Sequence, residues 1–180
     1  MAAYAEIKHE FDVTLGYIRD DINALCNGTQ TLNYTVGLLI GVACEALEDA
    51  GAYPNKRTVL ADLLPDDDWR QLKDVLFDAL RNGLAHNFDT KHIHINGRLV
   101  QIYMVWGLPK PTAIGMRNGE EALEIGTCVL GRGICRMIDE FRAKLQNDTS
   151  ACETFKRSLD SSGRRVDCRP ELWELQRRKR

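Results

Sequence analysis

Hydrophobic residues recur at spacings of three and four along most of the chain, which is the pattern of amphipathic α-helices. Asn27-Gly28 and Gly51 end the first two stripes, because glycine readily adopts the conformation that closes a helix. Pro65 ends a short third stripe. The pattern predicts a mainly α protein with helices over about residues 4–26, 32–50, 57–64, 67–86, 119–146 and 150–160.

One segment changes from the helical period to that of β-strands. Ile93-His94-Ile95 and Leu99–Trp106 are rich in β-branched and aromatic residues. Asn96-Gly97 lies between them and is a strong two-residue hairpin signal. The sequence predicts a small β-hairpin over about 92–106, followed by a loop over about 107–119.

Composition fits one domain. The chain has 180 residues, 44% of them hydrophobic, so we expect a single helical domain over 1–160 and a basic C-terminal tail over 161–180. The formal net charge is −2, so a polyanion would have to be held by a local patch.

The chain lacks the patterns of a secreted, membrane or metal-binding protein. No basic and apolar leader opens it, and the apolar stretch from Val36 to Leu47 contains Glu45 and is too short to span a bilayer. Six cysteines occur without a C-x-x-C pair, so we expect buried, reduced thiols. We therefore predict a cytoplasmic protein with no membrane contact, no metal and no cofactor.

The basic tail leaves two interpretations open. From Lys156 to Arg180 the chain has nine Lys or Arg against four Asp or Glu. It could be an arm that binds nucleic acid or a solvated terminus. Part of it could also dock on the body through Leu172, Trp173 and Leu175.

A short motif lies near the end of the predicted helix 67–86. Arg81-Asn82-x-x-x-His86, preceded by an amphipathic stripe and followed by the hairpin, resembles the RNxxxH version of the R-x4-6-H motif of HEPN domains. The resemblance covers about residues 4–146. It implies an up-and-down helical bundle, HEPN-like, with the β-hairpin inserted after the motif helix.

The resemblance implies a metal-independent endoribonuclease, such as a toxin or an effector of phage defence or RNA processing. His86 would be the general acid or base, since the unperturbed pKa of histidine, about 6.5, is close to neutral pH. Arg81 would stabilise the phosphate, and Asn82 would orient His86 or bind the phosphate. Without the family, His86 and Asn82 could simply cap the helix, and Arg81 could be a solvated arginine.

Helix geometry suggests how the motif is used. At 100° per residue, Asn82 and His86 share one side, while Arg81 points away from the core together with Phe77 and Leu84. Such a second apolar face predicts a homodimer with a composite site, as the resemblance also implies. Alternatively, Phe77 and Leu84 pack under the hairpin of the same chain.

Further residues are candidates beside the motif. Glu45 lies in an apolar stretch of the second helix and could orient Arg81 or His86, or could be a surface glutamate. A metal site of His86, His92 and His94 is disfavoured, since few carboxylates lie nearby in the sequence. RNA-binding candidates on the hairpin are Lys91, His92 and Arg98.

Three functional hypotheses remain. The first is the endoribonuclease, with RNA as substrate and an antitoxin or regulatory protein as partner. The second is a non-catalytic HEPN-like dimerisation module that binds RNA or a protein. The third is an unrelated helical-bundle adaptor in which the motif occurs by chance.

Overall fold

The computed structural model describes residues 2–29, 32–83, 93–95 and 97–161. The described part is mainly helical and carries a small sheet, as expected from the sequence. Two helical segments are π-helical and are named here the first and second π segments. In chain order the helical elements are α1 (Ala2–Phe11), the first π segment (Asp12–Gly16), α2 (Tyr17–Asn27), α3 (Asn33–Asp49), α4 (Lys56–Leu63), α5 (Asp67–Arg70), α6 (Lys73–Phe77), the second π segment (Asp78–Gly83), α7 (Thr127–Asn147) and α8 (Thr149–Ser161).

The predicted helix over 67–86 is not continuous. Asp66 caps α5 by accepting a hydrogen bond from the Trp69 backbone N–H at 3.0 Å. The Leu72 N–H then bonds to the Trp69 carbonyl at 2.9 Å, so a turn ends α5 after one helical turn. The chain continues through α6 into the second π segment, and residues 84–86 lie outside the described part.

The sheet is larger than the predicted hairpin. It contains β1 (Ile93–Ile95), β2 (Arg98–Val105), β3 (Thr112–Arg117) and β4 (Glu120–Gly126), in the order β1-β2-β4-β3. The hairpin of β1 and β2 is confirmed, while β3 occupies the middle part of the predicted loop over 107–119. The helix predicted from about 119 begins only at Thr127, since 120–126 form β4.

A tight turn explains the second hairpin. Asn118 and Gly119 both have positive φ, at 54° and 85°, as the central residues of a type I′ turn require. β3 and β4 pair antiparallel from Arg117 and Glu120 onward. β4 then pairs in parallel with β2, and this pairing joins the two hairpins into one sheet.

One face of the sheet lies on the helical bundle. Ile102, Leu123 and Ile125 lie on this face and are buried in a core that is continuous with the helices. Asn33, the first residue of α3, links the two layers. Its side-chain amide donates to the Met104 carbonyl at 3.2 Å and accepts from the Thr127 hydroxyl at 2.8 Å.

Aromatic rings fill the other end of the bundle. Phe11, Phe141 and Phe155 lie with ring centroids 6.0 to 6.4 Å apart and join α1, α7 and α8. The five cysteines of the described residues are free and buried, as predicted, and Cys168 lies outside them. Among the described helices, none has the length and apolar character that crossing a membrane requires.

Candidate functional site

The motif begins inside the second π segment. Arg81 and Asn82 belong to this segment, whereas His86 lies outside the described residues. A π turn holds more residues than an α turn, so the faces assigned at 100° per residue shift here. Such π segments are rare and often occur at functional sites.

Arg81 faces α3, which corrects the prediction that it points away from the core. A Cβ atom placed on Gly41 of α3 would lie 3.0 Å from the Arg81 Cβ and 3.1 Å from its Cα. Only a residue without a side chain allows this approach of the π segment to α3. Gly41 therefore lets the backbone of Arg81 rest against α3.

Glu45, one helical turn after Gly41, binds the Arg81 side chain. The Arg81 Nε donates to the Glu45 Oε2 at 2.8 Å. The two side chains are about one-third exposed, 31% and 29%. The predicted pairing of Glu45 with Arg81 is present, and Glu45 is not an isolated surface glutamate.

Lys56 binds the second oxygen of the same carboxylate. Its Nζ lies 3.4 Å from the Glu45 Oε1, and its side chain is 33% exposed. The carboxylate of α3 thus lies between cations from two other elements. The resulting cluster of Glu45, Lys56 and Arg81 has a formal charge of +1 when all three are ionised.

Electrostatics keep Glu45 ionised. Partial burial would raise the pKa of its carboxyl, but the hydrogen bond and positive charge of Arg81 oppose this effect. The charge of Lys56 adds to the opposition, and the pKa of Glu45 lies below its usual value. The carboxylate is therefore a stable acceptor at neutral pH and is unsuited to act as a general acid.

Phe77 does not provide a face for a partner. It is buried, and Lys56 and Arg57 of α4 lie over its ring, with the Lys56 Nζ 5.2 Å from the centroid. Arg57 also binds Asp74 at 3.0 Å and lies 3.7 Å from Asp78. The predicted second buried surface is thus covered by α4 of the same chain, and Leu84 lies outside the described residues.

The contact with Glu45 engages one edge of the Arg81 guanidinium. Its Nε is committed to Glu45, while Nη1 and Nη2 have no hydrogen-bond partner among the described residues. A guanidinium fork of this kind can hold a phosphate through parallel hydrogen bonds. Because Glu45 fixes one edge, the direction of the fork is set before any ligand binds.

The other predicted site residues are only partly described. Lys91 and His92 lie outside the described residues, and nothing is said of the Asn82 side chain. Arg98 begins β2 and lines a cleft of about 360 Å³ that also contains Glu120 and Glu121. That cleft shares no lining residue with the cluster around Glu45, so Arg98 as an RNA contact stays a prediction.

Sequence reasoning did not find Lys56 or Gly41. Lys56 and Arg57 occupy the first turn of α4, where the helix dipole disfavours positive charge. A basic pair at a helix start therefore signals nearby carboxylates, here Glu45 and Asp74. Gly41 lies inside a strong helical pattern, and such a glycine often marks close packing.

In the described part of the chain, no group of three or more His, Cys, Asp or Glu is placed to hold a metal ion. In comparisons with known proteins, no family model, no curated protein and no solved structure matches the chain. The HEPN resemblance therefore depends on the motif and its setting in the sequence.

Proposed function

We propose that the protein is a metal-independent endoribonuclease of the HEPN kind, in which Arg81 and His86 act on the scissile phosphate of RNA. The observation that carries this proposal is the hydrogen bond from the Arg81 Nε to Glu45. It orients a phosphate-binding fork at the start of the motif, where the resemblance expects one. A cytoplasmic toxin or defence effector, held by an antitoxin or regulator, is the setting that the resemblance implies.

The reaction uses the nucleophile that RNA itself provides. A histidine base removes the proton of the 2′-hydroxyl, and the 2′-oxygen forms a bond to the adjacent phosphorus. The bond from phosphorus to the 5′-oxygen breaks, and an acid protonates the leaving oxygen. The products are a 2′,3′-cyclic phosphate and a 5′-hydroxyl, and His86 is the residue that we assign to proton transfer.

Arg81 stabilises the charge that builds on the phosphate oxygens. Donors that are already oriented toward the transition state are worth about 3–4 kcal/mol in comparable sites. Glu45 is a positioning residue, since its contact is with Arg81. Lys56 adds positive charge beside the same carboxylate and keeps the cluster attractive to a polyanion.

The homodimer is part of the proposal because the resemblance implies a composite site. Helix geometry no longer argues for it, since Phe77 is buried under α4. The resemblance alone therefore predicts that a monomer does not cleave RNA. Light scattering, combined with activity measured at decreasing protein concentration, tests this prediction.

One experiment tests the catalytic assignment. The purified protein is incubated with mixed RNA in EDTA, beside His86→Ala and the control His94→Ala, which changes an exposed histidine of β1. We expect cyclic-phosphate products from the parent and from His94→Ala, and none from His86→Ala. Equal cleavage by all three proteins would indicate a contaminating nuclease and would reject the assignment.

A non-catalytic HEPN-like module is the second candidate. The observation that favours it is that Glu45, Lys56 and Arg81 form a connected set of ion pairs, which a purely structural cluster would also contain. In the same experiment, RNA binding without cleavage by the parent protein would support this module.

A further inference from the structure

A cleft of about 590 Å³ lies away from the motif, where α1, the first π segment, α2, α3 and α8 meet. Its apolar side is formed by Val13, Ile18, Val42, Ala46 and Leu159. None of these residues belongs to the cluster around Glu45. The cleft is thus a separate feature of the bundle and has no role in the proposed reaction.

Two observations indicate that the described residues leave the cleft unfilled. The Glu10 Oε2 is buried there and has no hydrogen-bond partner among the described residues. A buried carboxylate oxygen without a donor is costly, so a donor is expected to reach it. Val13, in the first π segment, is 52% exposed at the cleft, and Tyr17 on the following turn is 62% exposed.

The C-terminal tail has the chemistry that the cleft lacks. Leu159 forms part of the wall, and the described chain ends two residues later at Ser161. Residues 162–180 contain Leu172, Trp173 and Leu175 within four positions, close to basic residues on both sides. An occupant needs apolar side chains and a hydrogen-bond donor for the Glu10 carboxylate, and this segment carries both.

The net charge and the length of the C-terminal segment are compatible with its lying in the cleft. Residues 162–180 carry seven Lys or Arg against three Asp or Glu, whereas residues 1–161 carry 17 against 23. The tail and the body thus have opposite net charge, which favours their association. The eleven residues from Ser161 to Leu172 can span up to about 36 Å when extended, enough to fold back along α8.

We propose that residues 162–180 fold back into this cleft within the same chain. Leu172, Trp173 and Leu175 cover the apolar wall, and an arginine or lysine of the tail donates to the Glu10 Oε2. The segment is then an intramolecular cover of the bundle, and it does not serve as a free nucleic-acid arm.

Fluorine NMR of the full chain labelled with 5-fluorotryptophan tests this proposal. The three tryptophans are assigned by single Trp→Phe variants, and the change in each shift between H2O and D2O measures solvent exposure. We expect Trp173 to show well under half of the shift change that it shows in urea, independent of protein concentration. The variant Val13→Asp is expected to restore the full change at Trp173.

Matched variants separate docking from misfolding. Glu10→Gln keeps the size of the side chain, removes the charge and is expected to raise the exposure of Trp173. Ile114→Asp is the control, because Ile114 is similarly exposed, at 55%, but lies on β3 outside the cleft. The Trp106 signal, from the edge of the core, reports whether each variant is folded.

Three results would overturn the proposal. The first is full solvent exposure of Trp173 in the parent protein. The second is protection of Trp173 that survives both Val13→Asp and Glu10→Gln. The third is protection that disappears on dilution, which would place the tail on a second copy. None of these results bears on RNA cleavage, so this proposal and the proposed function can fail separately.

Discussion

Gly41 of α3 lies so close to Arg81 of the second π segment that a side chain at residue 41 would crowd the arginine. A side chain of even one carbon at residue 41 would lie within 3.1 Å of both the Cα and the Cβ of Arg81. Glu45, one turn along the same helix, accepts a hydrogen bond from the Arg81 Nε. One helix therefore sets both the backbone position and the side-chain direction of the arginine.

The variant Gly41→Ala tests this contact through stability. Alanine in a helix is favoured over glycine by about 1 kcal/mol, but overpacking a tight contact costs about 1–3 kcal/mol. Because the opposing atoms belong to the Arg81 backbone and Cβ, we expect the overpacking cost to exceed the gain in helix propensity. The free energy of unfolding in urea should therefore fall by about 1 kcal/mol.

Gly107→Ala is the matched control, since a Cβ there would meet no described atom within 4 Å. Its free energy of unfolding is expected to stay within about 0.5 kcal/mol of the parent value. A Gly41→Ala protein more stable than the parent would show that the π segment can yield without cost.

Replacing Glu45 with glutamine predicts a defined pH dependence. The folded pKa of Glu45 lies below its usual value, so its ionisation stabilises the fold above the unfolded pKa of about 4.3. That stabilisation is lost as the pH falls through the lower, folded pKa. At pH 7 we expect Glu45→Gln to reduce the free energy of unfolding by about 1–2 kcal/mol.

Urea unfolding between pH 7 and pH 3 measures this difference. The gap between the parent and Glu45→Gln should shrink below about pH 4 as the carboxylate is protonated. Glu140→Gln serves as the control, because Glu140 is 69% exposed and lies 3.8 Å from Arg136. If the difference in the free energy of unfolding between the parent and Glu45→Gln stays constant over this range, the charge of Glu45 does not stabilise the fold.

The fold shows where periodicity is sufficient. Strong stripes predict helical structure over residues 4–26, 32–50 and 150–160. The structure is helical over residues 2–27, 33–49 and 149–161, within one or two residues of those bounds, although the first of these stretches is divided by the first π segment. The sequence predicts a helix where β4 lies, because Ala122, Ile125 and Val129 are spaced by three and four and fit a helical stripe. Asn118-Gly119 carried the same hairpin signal as Asn96-Gly97 and would have divided the two elements correctly.

The site shows what the sequence cannot provide. The residue types of the motif and the partner Glu45 could be chosen from the chain, because chemistry and an unusual polar position mark them. The direction of Arg81 could not, since it depends on a π segment that changes the helical phase. The basic pair at the start of α4 signals a carboxylate partner, but only the packing of α4 on α3 decides that Lys56 reaches Glu45.

Gly119→Ala tests the turn that creates the second hairpin. The φ of Gly119 is 85°, and a Cβ there would meet no atom of the described residues within 4 Å, so the expected penalty comes from the backbone. We expect a loss of about 1–2 kcal/mol in the free energy of unfolding, measured with urea. A loss below about 0.5 kcal/mol, equal to that of Gly107→Ala, would mean that the turn does not need glycine.

Arg81→Lys separates the proposed catalytic role from simple charge. Lysine keeps the positive charge, but one ammonium group cannot bind Glu45 and also present a planar fork to a phosphate. We expect the single-turnover rate of RNA cleavage in EDTA to fall at least about 100-fold. Arg136→Lys, at a 70% exposed position of α7, should cleave at the parent rate.

The pH profile and stability complete that test. If Arg81 acts on the phosphate, the residual activity of Arg81→Lys keeps the same pH dependence as the parent, because His86 still transfers the proton. The free energy of unfolding should fall by no more than about 1 kcal/mol, since the ion pair is partly exposed and the charge is kept. Parent-level cleavage by Arg81→Lys would show that Arg81 serves the fold and that the phosphate is bound elsewhere.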